Sequence, residues 1–333
     1  MSNYCLIKDR LNPPDENGYG SVDYNFFIQQ NFISCEEYIS FLNSISEVST
    51  DLFLYNKYIS NIIDLDNGVF KIKDTIDPLS PIRYVNLQNM KLYCNWINTK
   101  DISSITEYPY NLRLNTFDKE SAQYWIPNLN EWYKSVYYDN KLKKYWLFPN
   151  CNNAIRDVDS KSNICSPYGI INGGFHYFNM IDNNNIDNYC IAGGAFNRHP
   201  LNAKSGVKYE VSSNYYGSNI STRICKKSKT ISYTLKLYDT YGDGWGENYI
   251  IAKDANDKPL TGRLSLRHGY GPLVTSLKVD TIERNFMIQF YKNDKMSYEN
   301  YYEIYNNQGK LLFQSEMYED PPLTHIIGLN NHE

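Results

Sequence analysis

The chain has 333 residues, a formal net charge of −4, a pI near 5.8 and a mean hydropathy of −0.56. This length allows two domains or one large one. The weak negative charge argues against nucleic-acid binding, which needs a clustered basic face. Tyrosine, with 32 residues, and asparagine dominate the composition. Biased codon usage explains this abundance, and a polar, aromatic-rich surface suited to binding is the alternative explanation.

Membrane and disulfide signals are lacking in the sequence. There is no apolar run of about 18 residues that predicts a transmembrane helix. The start at Met1 lacks the apolar core of a signal peptide, so we expect a chain kept on the cytoplasmic side or packaged from there. Cysteine occurs seven times without a C-x-x-C pair. An odd number without such pairs favours buried free thiols over disulfides or a zinc site.

The first half of the chain predicts a strand followed by three helices. Residues 1–20 form a polar lead-in, and the alternation over 22–28 is typical of a strand. Residues 34–37 have the sequence of a capping box, with helical spacing behind it. Broad apolar faces predict a second helix from Asn86 and a shorter third helix after Pro127.

Six short elements then occur in an order that resembles a known family. They are Tyr-x-x-Phe-Leu-Asn at 38–43, Pro-x-x-x-Val at 81–85 with Cys-Asn-Trp at 94–96, Ile-Pro-x-x-x-Glu-Trp at 126–132, Pro-Tyr-Gly-Ile at 167–170, Gly-Gly-Ala-Phe at 193–196 and Ser-Thr-Arg at 221–223. This pattern is similar to the formylglycine-generating-enzyme (sulfatase-modifying factor) family over about residues 20–226. The resemblance implies a loop-rich variant of the C-type lectin fold.

The chain departs from the family where its chemistry resides. The resemblance implies two copper-binding cysteines shortly after the Gly-Gly turn, because soft thiolates are the ligands that hold copper. Residues 195–221 contain no cysteine, whereas Cys190 precedes the turn and Cys225 lies in the closing strand. We therefore expect a retained scaffold without catalytic residues.

The expected scaffold presents a binding surface beside the glycine-rich stretch 168–196. Phe175, His176 and Tyr177 and the asparagine-rich loop with Asn183 and Asn184 are the candidate binding residues. The rival hypothesis is a copper- or thiol-dependent oxidase. It requires two cysteines with Cα atoms about 7 Å apart or less, with a histidine nearby.

After a short basic bridge at 226–230, the pattern changes to alternation. Strands are predicted at 231–237, 249–252, 274–279, 286–290, 301–305 and 311–314, with turn residues between them. Many short strands at regular spacing predict an all-β sandwich or jelly roll.

The sharpest motif of this half is Asp-Thr-Tyr-Gly-Asp-Gly-Trp at 239–245, which resembles the signature of β-sandwich modules in surface proteins. Its glycines permit positive φ, and Trp245 is expected to cap the sandwich edge as a binding residue. Asp239, Asp243 and Glu247 are candidate calcium ligands. Alternatively, the loop is a structural turn whose carboxylates accept backbone N–H bonds.

The sequence as a whole predicts an α+β chain: a lead-in at 1–20, a formylglycine-generating-enzyme-like, C-type-lectin-like domain at 21–226 and a β-sandwich at 230–333. We expect a non-catalytic structural or binding protein that contacts another protein or a glycan. Neither nucleic acid nor membrane insertion is expected, and calcium is the sole candidate cofactor. A glycan-binding lectin is a further alternative. The composition favours a virion surface or capsid-associated component of a large DNA virus, and a homo-oligomer is compatible with the sequence.

Overall fold

The computed structural model of the chain describes residues 3–46, 54–154, 164–183, 185 and 187–329. The chain divides into two compact units, Met1–Lys227 and Ser228–Glu333. Within the described residues the α-helices are α1 (Cys35–Ser44), α2 (Leu87–Thr99) and α3 (Leu129–Tyr137). The three predicted helices of the first half are therefore confirmed.

A reciprocal capping box opens each helix, whereas the sequence predicted one only for α1. In α3, Asn128 accepts a hydrogen bond from the Glu131 N–H at 2.9 Å, and the Glu131 carboxylate accepts one from the Asn128 N–H at 2.7 Å. Ser34 with Glu37 and Asn86 with Asn89 do the same for α1 and α2. These bonds satisfy backbone N–H groups that have no partner within the helix.

Short strands make up most of the regular structure of the first unit. They are β1 (Tyr4–Ile7), β2 (Phe26–Gln29), β3 (Ile63–Asp66), β4 (Val69–Ile72), β5 (Tyr110–Asn111), β6 (Thr116–Phe117), β7 (Tyr124–Trp125), β8 (Tyr138–Asp139), β9 (Lys144–Tyr145), β10 (Phe178–Ile181), β11 (Asn188–Ala192), β12 (Lys208–Ser212), β13 (Ile220–Ser221) and β14 (Cys225–Lys227). Two four-stranded sheets have the orders β1-β2-β14-β7 and β12-β11-β10-β13. Three further pairs are β3-β4, β5-β6 and β8-β9.

The buried guanidinium of Arg223 ties the closing segment to the glycine-rich stretch. Arg223 donates to the carbonyl oxygens of Gln30 at 2.7 Å and Ile171 at 2.6 Å, and its guanidinium lies 3.9 Å from the centre of the Phe32 ring. Burial lowers the pKa of Arg223 to about 9. Ile171 of the glycine-rich stretch is thus held by an arginine from a distant part of the sequence.

The second unit consists of two antiparallel sheets that share one hydrophobic core. Its strands are β15 (Thr230–Asp239), β16 (Tyr249–Asp254), β17 (Leu273–Asp280), β18 (Asn285–Tyr291), β19 (Asn300–Tyr305), β20 (Leu311–Gln314) and β21 (Thr324–Gly328). The sheet orders are β17-β15-β19-β20 and β16-β18-β21. Alternate residues such as Tyr233, Leu235 and Leu237 of β15 point into the core and meet Phe286 and Ile288 of β18.

The predicted α+β class, with its C-type-lectin-like first domain, is wrong. Strands in several separate sheets dominate the described residues, against the three helices α1, α2 and α3. The reason is that pairs such as β5-β6 and β8-β9 are only two residues long. Strands of two residues are too short to show an alternation of apolar and polar side chains. The strand with which they pair, rather than their own sequence, therefore specifies them.

Candidate metal centre and surface cavities

The loop that follows β15 is tight because glycine recurs at every second position. Gly242, Gly244 and Gly246 have φ values of +86°, +95° and +56°. This left-handed conformation is costly for residues with a Cβ. A Cβ added to Gly244 would lie too close to the carbonyl oxygen of Arg267. The motif therefore specifies a tight loop through backbone conformation and close approach.

Trp245 anchors this loop in the core of the second unit. Its side chain is 1% exposed, its indole N–H donates to the Tyr238 carbonyl oxygen at 2.7 Å, and its ring meets Phe290 edge-on at 6.0 Å. The structure thus places Trp245, which the sequence suggested as a binding residue, inside the core, where it positions the loop.

Three carboxylates converge at the start of the loop. One carboxylate oxygen from each of Asp239, Asp243 and Glu299 lies within 4.8 Å of the others. Glu299 arrives from the segment before β19, because Asp239 pairs with Asn300 and the Thr240 N–H donates to the Glu299 carbonyl oxygen at 3.0 Å. Sheet register therefore assembles the cluster.

Glu247, the third ligand suggested by the sequence, is not a member of this cluster. It is exposed, and its backbone carbonyl oxygen accepts a hydrogen bond from the Asn293 side chain at 3.2 Å. Glu299 takes the place that the sequence assigned to Glu247. Glu299 could be recognised as a candidate ligand only from the pairing of β15 with β19, which joins parts of the chain that are distant in the sequence.

Two oxygens of the cluster are buried without a partner in the described residues. Asp239 uses Oδ1 to accept hydrogen bonds from the N–H groups of Tyr241, at 3.0 Å, and Gly242. Within the described part of the chain, Asp239 Oδ2 and Glu299 Oε1 have no hydrogen-bond partner, although both residues are only 2% exposed. Leaving such acceptors unsatisfied is costly.

The charge of the cluster is not offset by a basic side chain in the described part of the chain. No lysine, arginine or histidine there forms an ion pair with Asp239, Asp243 or Glu299. Burial raises the pKa of Glu299 above its ordinary value, and the negative charge of Asp243 raises it further. A hydrogen bond from the Tyr298 phenol partly opposes this rise in pKa.

The donor set suits a hard cation. Calcium binds carboxylate oxygens at about 2.3–2.6 Å, so two ligands of one ion lie at most about 5 Å apart. The observed limit of 4.8 Å between the oxygens fits one ion. Asp243 is exposed, so that one side of such an ion would face solvent.

The binding residues suggested in the first unit are only partly at the surface. Phe175 is 7% exposed and packs in a small cluster with Phe148. Tyr177 is half-buried, with its ring 5.8 Å from that of Phe32 and 5.7 Å from that of Phe196.

His176 has an unusual environment for a surface residue. It has a positive φ of 67°, its Nε2 is buried without a hydrogen-bond partner in the described residues, and burial lowers its pKa. Asn183 is exposed and accepts a hydrogen bond from the Asn185 N–H at 3.2 Å. Asn184 lies outside the described residues.

Two cavities adjoin the segment after the Gly-Gly turn, and Arg198 lines both of them. The smaller, of about 110 Å³, also contacts Phe175, His176 and His199. The larger, of about 260 Å³, extends over β11 and β12. The structure therefore brings His176 and His199 to one cavity but leaves Tyr177 outside its lining.

The cysteines that flank the Gly-Gly turn in the sequence lie in different sheets. Cys225 is fully buried on β14, whereas Cys190 lies on β11 in the other four-stranded sheet. Burial raises the pKa of Cys190 to about 11 and that of Cys225 well above its ordinary value, which disfavours the reactive thiolate. Cys165 is exposed and lies near Cys151, whose Sγ is 4.0 Å from the Cys165 carbonyl oxygen. All seven cysteines lie in the described residues and are free.

Helices long and apolar enough to cross a bilayer do not occur in the described residues.

Comparison with known proteins yields distant structural likenesses alone. No family model matches the chain, and no curated protein matches it. Treponema denticola variable protein 1 has a TM-score of 0.39 at 10% identity, covering 67% of this chain and 94% of that chain. CarF has a TM-score of 0.46 at 12% identity, covering 69% and 99%. PvdO from Pseudomonas aeruginosa has a TM-score of 0.38 at 10% identity, covering 68% and 92%.

Proposed function

We propose that this chain is a non-catalytic binding protein whose second unit binds one calcium ion through Asp239, Asp243 and Glu299. The observation that carries the proposal is the pair of buried oxygens, Asp239 Oδ2 and Glu299 Oε1, which have no hydrogen-bond partner in the described residues. A calcium ion would satisfy both oxygens and offset most of the negative charge gathered there.

A structural turn is the alternative explanation of the motif. It accounts for Asp239 Oδ1, which accepts two backbone N–H bonds. It does not account for Oδ2 of the same residue, nor for the burial of Glu299 beside it. Both roles are compatible, because one oxygen of Asp239 holds the loop and the other faces the cluster.

The proposal is tested by calcium titration of the full-length chain and two matched variants. Isothermal titration calorimetry of the wild type should show one site per chain. Glu299→Gln should weaken binding by about tenfold or more, because it replaces a charged ligand by a neutral one. Glu247→Gln removes the same charge from an exposed position near the loop and should bind like the wild type. Equal affinity of wild type and Glu299→Gln, or no binding to the wild type, would refute the proposal.

A second candidate function is calcium-dependent contact with a glycan. Tyr241 and Tyr270 are 62% and 67% exposed, and the Tyr270 ring packs against Gly242 in the same loop. Exposed tyrosine rings supply rigid contact area, and an ion with one open side can take hydroxyl oxygens. A glycan array with and without calcium tests this function. Absence of hits in both conditions would favour a protein partner.

The non-catalytic character of the first unit is supported by its thiols. Cys190 and Cys225 lie in different sheets, and their raised pKa values disfavour thiolates at neutral pH. A copper titration checks this, since tight stoichiometric copper binding would favour the oxidase.

Kinship of residues 20–226 with the formylglycine-generating-enzyme family stays a proposal that rests on the six motifs. A virion location is a further proposal, and it would be abandoned if purified particles lack the chain.

A further inference from the structure

The larger cavity beside Arg198 has the features of a binding site in the first unit. Its volume is about 260 Å³. It lies along the sheet β12-β11-β10-β13 and is closed on one side by the segment that follows the Gly-Gly turn. The proposed calcium site belongs to the second unit, so this cavity is a separate candidate site.

The floor of the cavity is apolar and its walls are aromatic. Phe178, Ile191 and Ile220 are 3%, 5% and 0% exposed and form the buried base. Tyr209 and Tyr215 remain 42% and 46% exposed, and Tyr209 meets the Phe178 ring edge-on at 5.8 Å. A flat or branched apolar group placed here would replace water on both the floor and the walls.

Arg198 supplies the only charge among the described residues that line the cavity. Arg198 is exposed, and its guanidinium forms no hydrogen bond or ion pair with the described residues. The backbone that carries it is fixed, because the Arg198 N–H donates to the Ala195 carbonyl oxygen at 2.9 Å. No acidic residue belongs to this described lining. The cavity therefore combines one positive charge with apolar surface.

Strand alternation keeps negative charge away from this cavity. On β12, Tyr209 and Val211 face it, whereas Glu210 between them lines a different cavity on the other face of the sheet. Asn202 and Asn219 add polar groups to the lining. Asn219 is 6% exposed, and its amide donates to the Asn197 side chain at 2.8 Å, so that its position is set.

We propose that this cavity binds a carboxylate carried on an apolar body, with Arg198 as the anchor. A guanidinium presents two parallel N–H donors that match a carboxylate, which makes the pair stronger than a neutral hydrogen bond. The apolar floor selects an organic acid over a bare inorganic anion. Its volume admits a group of about the size of one large apolar side chain. The acid is either a free small molecule or the last residue of a peptide chain.

Binding of simple acids to the full-length chain tests the proposal. The probes are N-acetyl-L-phenylalanine, which mimics the end of a peptide, 3-phenylpropanoate, which mimics a free acid, and N-acetyl-L-phenylalaninamide, which lacks the carboxylate. Ligand-detected NMR and calorimetry should show binding of at least one acid at millimolar concentration and none of the amide. Tighter binding of the acetylated amino acid identifies a chain end as the ligand, and equal or tighter binding of phenylpropanoate identifies a free acid.

Two variants assign the binding to the cavity. Arg198→Gln should weaken acid binding by about tenfold or more, whereas Arg113→Gln, at another arginine of the first unit, should leave it unchanged. Acetate serves as a further probe that has no large apolar group. Tyr215→Ala should weaken binding of phenylpropanoate more than that of acetate, because acetate is too small to reach the tyrosine wall of the cavity. Thermal unfolding and circular dichroism confirm that the variants are folded. Equal binding of acid and amide, no binding of either acid, or an unchanged affinity in Arg198→Gln would overturn the proposal.

Discussion

Replacing Glu299 by glutamine should raise the stability of the calcium-free second unit and weaken its response to calcium. Oxygens of Asp239 and Glu299 lie within 4.8 Å of each other, and both residues are buried. At an effective dielectric constant of about 20, two like charges at this distance repel by about 3 kcal/mol. Partial protonation and solvent reduce this value, so we expect Glu299→Gln to gain about 2 kcal/mol in EDTA. For a domain of this size, the gain corresponds to a rise in Tm of roughly 10 °C.

Calcium should narrow the stability difference between the wild type and Glu299→Gln. At a calcium concentration of about 100 times Kd, the wild type gains about 2.7 kcal/mol from binding. The amide introduced by Glu299→Gln lacks the charge and one ligand oxygen, so the variant, with binding about tenfold or more weaker, should gain about 1.4 kcal/mol or less at the same calcium concentration. Differential scanning calorimetry of both full-length proteins, in EDTA and in calcium, measures the two changes together. Glu247→Gln serves as the control and should follow the wild type in both conditions.

The pH dependence gives the same prediction a second readout. In the calcium-free chain the pKa of Glu299 is raised above its ordinary value of 4.5. The folded state therefore binds this proton more tightly than the unfolded chain does. The proton bound to Glu299 therefore stabilises the folded state fully below about pH 4.5, and this stabilisation is lost as the pH rises through the raised pKa. In EDTA, the Tm of the wild type should fall across this window, and Glu299→Gln should flatten the fall.

The gain from calcium should increase over the same pH range, since the ion requires the ionised carboxylate. If Glu299→Gln lowers the Tm in EDTA and still responds to calcium like the wild type, the reasoning about this cluster is wrong.

Three further predictions follow from buried or strained positions. Gly244→Ala should cost several kcal/mol in urea unfolding, because its φ is +95° and its Cβ would meet a backbone carbonyl, whereas Gly262→Ala, with open space around it, should be nearly neutral. Arg223→Lys should cost about 2 kcal/mol in the same assay, because an ammonium cannot reproduce both carbonyl contacts of the buried guanidinium. A thiol reagent should modify the exposed Cys151 in the native protein while Cys225 reacts only after unfolding. Similar stability of the two alanine variants, an unchanged Arg223→Lys, or fast labelling of Cys225 would contradict the respective argument.

Local chemistry determined the parts of this protein that its sequence predicted. Helices such as α3 begin where Asn128 and Glu131, three residues apart, cap each other. The long strand β15 follows from alternation, and the glycine loop behind it follows from residues that permit positive φ. These features depend on neighbours in the sequence, and so a single chain segment contains their cause.

Tertiary structure alone decided the fold class and the composition of the candidate site. Short strands of the first unit such as β7 and β14 pair with strands that are distant in the sequence, which is why the α+β assignment failed. Asp239 and Asp243 were visible in the motif, but Glu299 joins them only through the pairing of β15 with β19. Glu247, which is closer in sequence, is exposed to solvent. A metal site needs oxygens that converge in space, and sheet register sets that convergence for ligands on different strands.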